Sequence, residues 1–457
     1  MTPFRPWSGF PQSSRAAKSS LRFGLGADCG QRVRDVFIVS KGEPPSAVGT
    51  DDGISCRDLV AAPCPVCGHG VAARFFAGGD QPLATLGWPQ SAEAAVSMRR
   101  LPHDFVQCPA CTHVWNRSFR YEDVPYRDQP NRMFNAGAIW RGHMAASGRS
   151  LLERLPPAPT LVEIGCGEGQ FMKGLAEACG GQGRFIGFDP NTHAVTGQGL
   201  EFEARLFEPL ADIAALAPDA IIMRHVVEHL TEPAAFLDQL AWGASLSGRT
   251  VLAFIETPCI DRVFSTGRLA DFFYEHMSHF STDSFRELLM RAGTIELLEH
   301  GYDGEVVFGI VRLEPPGGAR ATVRSARAFA DRAATTQSNV RRQIDEIAGS
   351  GRRVAVWGGT GKGAAFIHQF GLDRARFPIV VDSDPDKVGT FVPGTGQMIA
   401  FRDVLKSEPV DLVIIPTQWR AADIVQEMAR EAIEALQVLI EHDGRLVDYH
   451  RDPHPYR

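Results

Sequence analysis

Short apolar runs alternate with longer stretches of helical spacing through the middle of the chain, at 161–164, 185–188, 220–223 and 250–255. Runs of this length, separated by helix-sized segments, predict parallel strands covered on both faces by helices. The alternation stops between 314 and 351, where Pro-Pro-Gly-Gly leads into a polar helix-forming run over 320–347 that ends in Gly-Ser-Gly. It restarts at 354–357, 379–381 and 412–415, with a last strand at 437–441. The pattern therefore predicts two α/β sheets of the doubly wound type joined by a spacer helix. Ahead of them, 120–150 is rich in Tyr, Asn and Arg and passes into an amphipathic run from 139 towards 155, which reads as a connecting arm and a helix. The first fifty residues are rich in Ser, Arg, Gly and Pro without a sustained period, the mark of a disordered tail.

A length of 457 residues calls for about three units, each with its own core. We place the tail at 1–55, a small cysteine-bearing domain at 56–125, the first α/β domain at 126–314, the linker helix at 315–350 and a second Rossmann-like domain at 351–457. The composition, 44% hydrophobic and 22% charged, is that of a globular protein. A net charge of -7 argues against a surface built to neutralise a phosphate backbone, so nucleic acid is not the expected partner. No apolar stretch reaches the ~20 residues of a membrane helix, and no secretory-type apolar core opens the chain. Asp28 and Asp35 interrupt the basic character that an organelle-targeting segment would need, and the expected location is cytoplasmic.

Four of the nine cysteines form two matched pairs, Cys64-Pro-Val-Cys67 and Cys108-Pro-Ala-Cys111. Two thiolates separated by two residues grip an ion from one tight turn, and two such turns complete a tetrahedral site, so the set predicts structural Zn²⁺. About forty residues separate the pairs, and they must form a small subdomain around the ion. Cys29, Cys56, Cys166, Cys179 and Cys259 have no comparable partner in sequence.

The first strand of the central sheet runs directly into Glu163-Ile164-Gly165-Cys166-Gly167-Glu168-Gly169, ahead of a helix beginning near Phe171. Glycines at such a turn let the backbone approach a bound nucleoside. An NAD fingerprint would require glycine at 170, where this chain has Gln, and an acidic residue stands two places before the first glycine. Both departures favour S-adenosylmethionine. The second strand ends at Asp189, whose carboxylate would accept from two ribose hydroxyls unless it serves as a helix N-cap ahead of Pro190.

Two histidine clusters follow the later strands: His225-Val-Val-Glu228-His229, and Phe273-Tyr274-Glu275-His276-Met-Ser-His279-Phe280. The first lacks the spacing of a zinc-protease helix, because its glutamate directly precedes the second histidine. Open parallel sheets bind ligands at these strand ends. His276 is the candidate base, with Glu275 as the carboxylate that orients it and His229 as a second polar contact. His225 joins Glu163, Gly165, Cys166, Gly167, Gly169 and Asp189 as the expected cofactor-binding set.

Taken together, the chain resembles the three-part sugar C-methyltransferases over residues 60–445. The carriers of the likeness are the two cysteine pairs, the Glu163 to Gly169 turn, the Tyr274-Glu275-His276 to Phe280-Ser281 segment, Trp357-Gly-Gly359-Thr-Gly361-Lys362-Gly363, and Asp382 through Lys387-Val-Gly to Pro393-Gly-Thr. The resemblance implies a zinc-binding domain, a class I methyltransferase sheet and a C-terminal domain characteristic of C-methyltransferases. It also implies methylation of a carbon beside the ketone of a nucleotide-linked 4-keto deoxysugar. His276 would be the base and His229 a second active-site histidine. One departure stands out, since the position where such enzymes carry a tyrosine, three before the base, is Phe273 here. The C-terminal glycine turn lacks the Walker spacing, because 356 is Val and 363 is Gly, which excludes an ATPase. Gly359, Gly361, Lys362, Gly363 and Asp382 are instead the expected seat of the substrate's nucleotide. The alternatives are an O- or N-methyltransferase of another small molecule, an NAD-binding redox protein acting through the C-terminal domain, and an RNA methyltransferase, which the acidic charge disfavours.

Overall fold

In a computed structural model, residues 53–457 are described apart from 87, 127–134, 195 and 198. The expected tail lies almost wholly outside them. The chain divides into two compact units, Met1–Pro315 and Pro316–Arg457.

The first unit opens with four strands, β1 (Leu59–Ala61), β2 (Val71–Gln81), β3 (Leu101–Gln107) and β4 (Val114–Asn116), with a short helix α1 (Ala92–Val96) between β2 and β3. The strands pair antiparallel in sequence order, and Ser278–His279 from far along the chain adds a fifth strand beside β4. Ser278 lies opposite Trp115, so the residues just after His276 belong to the sheet of the cysteine-bearing segment.

After α2 (Ala138–Leu152) comes the central sheet: β5 (Thr160–Ile164), α3 (Gln170–Ala178), β6 (Arg184–Phe188), β7 (Leu200–Glu203), α4 (Pro209–Leu216), β8 (Ala220–Arg224), α5 (Pro233–Ser247) and β9 (Leu252–Pro258). Next are α6 (Asp261–Thr266), the two-residue β10 (Ser278–His279), α7 (Thr282–Ala292), β11 (Gly293–Gly301) and β12 (Val306–Leu313). The spatial order is β11-β12-β9-β8-β5-β6-β7, with β12 antiparallel to both its neighbours. A parallel sheet that reverses direction away from β5 and ends in an antiparallel hairpin is the class I methyltransferase topology implied by the resemblance. The reversal opens a crevice at the carboxyl ends of β5 and β8. Leu161, Val162, Phe185, Ile221, Ile222 and Phe254 are almost fully buried, as strands covered on both faces require. The β12 run Val-Val-Phe-Gly-Ile-Val-Arg-Leu is as apolar as the parallel strands, yet the alternation with helices does not reach it, because a hairpin needs no crossover helix.

The second unit begins with α8 (Ala319–Gly349), whose buried residues Val340, Ile344 and Ile347 all lie in its last third. There follow β13 (Val354–Trp357), α9 (Lys362–Phe370), β14 (Ile379–Asp382), β15 (Ile399–Phe401), α10 (Val404–Ser407), β16 (Leu412–Ile415), α11 (Ala421–Arg430), β17 (Gln437–His442) and β18 (Arg445–Asp448). Their order, β15-β14-β13-β16-β17-β18, is parallel except for the last strand and again reverses at the first one, as a Rossmann-like sheet does. Among the described residues, no helix is long and apolar enough to cross a membrane.

Candidate active site and metal centre

The turn after β5 needs glycine for two separate reasons. Gly165, Gly167 and Gly169 have φ of +71°, +50° and +70°, the left-handed region that side chains disfavour. A Cβ on Gly165 would also collide with the Val226 side chain, and one on Gly169 would lie 2.5 Å from the Phe202 ring. Cys166 is buried with its sulfur against Gly187, where a Cβ would stand only 2.6 Å away. Asp189 directly follows β6 and reaches this turn: one carboxylate oxygen accepts from Gly167 N–H at 3.1 Å, the other from Asn191 N–H at 2.8 Å. Among the described residues no helix follows Pro190, so an Asx turn replaces the N-cap alternative, and the remaining lone pairs of the carboxylate can face hydroxyl donors. Glu163 is buried at the end of β5, where burial pushes its carboxyl up to about 8 despite the nearby Arg224 guanidinium.

Below the turn lies a charge cluster that motif reading did not find. Glu256 on β9 is fully buried and accepts from Arg224 on β8 at 2.7 and 3.1 Å and from His143 on α2 at 2.7 Å. The Arg224 guanidinium lies over the Phe171 ring at 4.3 Å. Burial alone would raise the Glu256 carboxyl, but Arg224, His143 and His225 hold it well below the usual range. His225 has φ +53° and sits with Nδ1 3.5 Å from Glu228 and Nε2 3.3 Å from Glu256. Burial disfavours its charge, yet the two carboxylates outweigh that and push it up to about 9. Of the expected cofactor set, His225 is therefore a member of this network, which supports the floor of the site.

The structure brings the two predicted histidines together. The His229 and His276 ring centroids are 4.9 Å apart. His229 Nδ1 is 2.7 Å from the Glu275 carbonyl, an acceptor only, so Nδ1 carries the proton and Nε2 the lone pair of the neutral ring. The Tyr126 hydroxyl donates to the same carbonyl at 2.6 Å and lies 3.0 Å from His229 Nδ1. Tyr126 is in turn tied to the strand tip, since the Asn191 side-chain amide donates to its carbonyl. Sequence reasoning missed this tyrosine; its only signal was its place in the Tyr-rich arm.

His276 packs on Phe273, ring centroids 4.1 Å apart, and its side chain has no hydrogen-bond partner among the described residues. Burial and then the neighbouring His229 push its pKa well below the ordinary value. The expectation that the Glu275 carboxylate orients this ring meets a different arrangement. Oε1 of Glu275 accepts from Thr85 N–H at 2.7 Å and Leu86 N–H at 3.0 Å, while Oε2 is buried without a partner. The backbone amides of the 85–86 loop compete for the carboxylate because the β4–β10 pairing brings that segment against it. Tyr274 is fully buried, with its hydroxyl accepting from Arg120 N–H at 3.0 Å, so it is turned into the core.

The four paired cysteines converge, with Cys64 and Cys111 sulfurs 3.6 Å apart, Cys67 and Cys108 3.5 Å apart, and all four within 4.8 Å of one another. The two turns repeat the same bonds: Gly68 N–H to Cys64 O and Thr112 N–H to Cys108 O, both 2.9 Å. Gly68 and Thr112 each take a positive φ. Sulfurs at this spacing fit the edges of a tetrahedron with ~2.3 Å metal–sulfur bonds.

In the second unit, a Cβ on Gly363 would collide with the Gly358 carbonyl and one on Gly359 would stand 2.6 Å from Ile399, so both glycines are steric requirements of the turn. Gly361 caps α9, Lys362 opens it, and the Lys362 ammonium lies 5.5 Å from the exposed Trp419 ring. Asp382 ends β14, buried, with Lys387 Nζ at 3.3 Å.

Comparisons agree with these two units. Residues 140–294 match the family described as methyltransferase domain, and residues 317–440 match the family described as C-methyltransferase C-terminal domain. The chain is 26% identical over 365 residues to the C-methyltransferase NovU of Streptomyces niveus, covering 73% of this chain and 84% of that protein. Among solved structures, it is similar to the N-methyltransferase NodS of Bradyrhizobium japonicum at 15% identity and TM-score 0.29, covering 40% of this chain and 99% of that one. It is also similar to the cyclopropane synthase MmaA2 of Mycobacterium tuberculosis at 15% identity and TM-score 0.27, covering 35% and 62%.

Proposed function

We propose that this chain, an S-adenosylmethionine-dependent methyltransferase with a C-methyltransferase C-terminal domain, methylates a carbon beside the ketone of a nucleotide-linked deoxysugar. The observation that carries the reading is His276, an imidazole whose charge is disfavoured by burial and that has no hydrogen-bond partner among the described residues, beside the tautomer-fixed His229. A base must be neutral to accept a proton, and burial among rings keeps His276 so at neutral pH. S-adenosylmethionine, when bound, supplies the electrophilic methyl group. Glu163, Gly165, Gly167, Gly169 and Asp189 are the proposed residues that hold it, with Cys166 packing the turn. His276 would take the proton from the carbon, leaving its electron pair shared with the ketone oxygen as an enolate; the carbon would then bond to the methyl group as the donor's sulfur–methyl bond breaks and S-adenosylhomocysteine leaves. The Tyr126 hydroxyl, whose proton goes to the Glu275 carbonyl, and His229 Nε2, which carries a lone pair, are the neighbouring acceptors that would receive hydroxyl donors of the substrate. Glu275 contributes by fixing the loop and by presenting its carbonyl to His229. The Cys64, Cys67, Cys108, Cys111 set takes Zn²⁺ as a closed structural site, and Gly359, Gly361, Lys362, Gly363 and Asp382 seat the nucleotide diphosphate.

A second reading rests on one piece of geometry: donor atoms of Glu228, His229 and His276 all lie within 4.8 Å, close enough to hold a divalent ion. Such an ion would polarise the ketone and occupy the base.

The test is His276→Asn with a nucleotide-linked 4-keto deoxysugar. S-adenosylmethionine binding should persist while the rate falls about 10²–10⁴-fold, and exchange of the ketone-adjacent proton with deuterated water should stop. Normal exchange and methylation in the variant would remove His276 as base. Loss of activity on mild chelation, restored by an added divalent ion, would favour the second reading.

A further inference from the structure

Away from the histidine pair, a second set of metal-binding side chains meets at the carboxyl end of β9. Cys259 directly follows that strand, Asp261 is the first residue of α6, and His300 lies near the end of β11. The Cys259 sulfur, an Asp261 carboxylate oxygen and a His300 ring nitrogen all lie within 4.8 Å of one another. Between them stands the Thr282 hydroxyl, 2.5 Å from Asp261 Oδ2, 2.8 Å from His300 Nε2 and 3.9 Å from Cys259 Sγ.

Ordinary hydrogen bonding accounts for part of this arrangement: Thr282 donates to Asp261 and accepts from His300, which ties α6, α7 and β11 together. The thiol, 2% exposed, has Asp261 and Thr282 as its polar neighbours, so the sulfur too faces the point where the carboxylate and imidazole meet. Sulfur, imidazole and carboxylate converging on one point form a donor set suited to a borderline divalent ion such as Zn²⁺. Three protein ligands leave a fourth position for water or the threonine hydroxyl. Access is open, since the Asp261 and His300 side chains are 44% and 45% exposed.

We propose that Cys259, Asp261 and His300 form a zinc-class metal site separate from the four-cysteine centre. Its placement gives it a consequence. Cys259 and Asp261 stand before, and Thr282 after, the segment 262–281 that carries His276. An ion held here closes both ends of that segment against β11 and restrains the base-bearing loop.

The experiment counts metals by mass spectrometry in full-length protein dialysed first against ZnSO₄ and then against metal-free buffer. Protein from which a mild chelator has removed the more exposed ion, while the cysteine centre keeps its zinc, is also titrated with Co²⁺, following the thiolate charge-transfer band. His300→Ala alters a half-exposed side chain and should fold normally, as circular dichroism would confirm; Cys259→Ser tests the sulfur directly. Each variant should hold one ion fewer than the wild type, and Co²⁺ binding at this site should weaken by at least about tenfold, the minimum expected when even an outer contact of a metal site is removed. Ions at the cysteine centre or at Glu228, His229 and His276 would be unaffected by either change. An unchanged count and an unchanged Co²⁺ titration in His300→Ala and Cys259→Ser would overturn the proposal.

Discussion

Replacing Glu256 by Gln should be among the most damaging isosteric changes in the first unit. Gln keeps one oxygen acceptor but turns the other oxygen into a donor, facing either the Arg224 guanidinium at 2.7 Å or His143 Nε2 at 2.7 Å. It also removes the buried anion that offsets Arg224 and His225. Breaking one side of a buried ion pair costs about 3–5 kcal/mol. With a urea dependence of about 3 kcal/mol/M, the unfolding midpoint of this unit should fall by about 1–1.7 M. Trp140, next to Arg224 in the fold, offers a fluorescence signal for that transition. The effect also has a pH signature. His225 is raised to about 9, so the stability it contributes is complete below the unfolded value of 6.5 and lost as pH rises from 6.5 to 9. That window corresponds to about 3 kcal/mol in the wild type. The Glu256→Gln change removes one of the two carboxylates responsible, so the difference between the proteins should be largest near pH 6 and narrow towards pH 9. A variant whose midpoint at pH 6 lies within about 0.2 M of the wild type would refute the claim that this network carries net charge compensation.

Two further changes probe the other centres. Gly169→Ala places a Cβ 2.5 Å from the Phe202 ring at a φ of +70°, so it should destabilise by about 1–3 kcal/mol and weaken S-adenosylmethionine binding, both measurable by thermal unfolding with and without ligand; full affinity would mean that the turn relaxes freely. Cys111→Ser should release zinc from the four-cysteine centre and, because β4 pairs with β10, lower the methylation rate without touching the cofactor turn; retained zinc and full activity would show that the two are uncoupled.

Local pattern alone determined a good deal of this protein. Alternating apolar runs gave the central parallel strands of both units, because a strand buried on both faces must be apolar wherever the chain places it, but not the short, half-exposed outer parallel strands β7 and β15. The glycine turns were legible because a positive φ and a close approach admit almost no other residue, and the cysteine pairs because two ligands on one turn need a fixed short spacing. Strand order also made the placement of His229 and His276 at one end of the sheet predictable. Their partners were not. Arg224 meets Glu256 only because β8 lies beside β9, and His143 joins them because α2 packs at that place. Glu275 finds Thr85 and Leu86, nearly two hundred residues earlier, in place of its neighbour His276. Tyr126 supplies the site's phenol while Tyr274, closer in sequence to the base, is buried elsewhere. Periodicity reports which face of an element is covered, whereas hydrogen bonds and ion pairs depend on where atoms lie to within a fraction of an ångström. Only the packing of elements distant in sequence sets those positions.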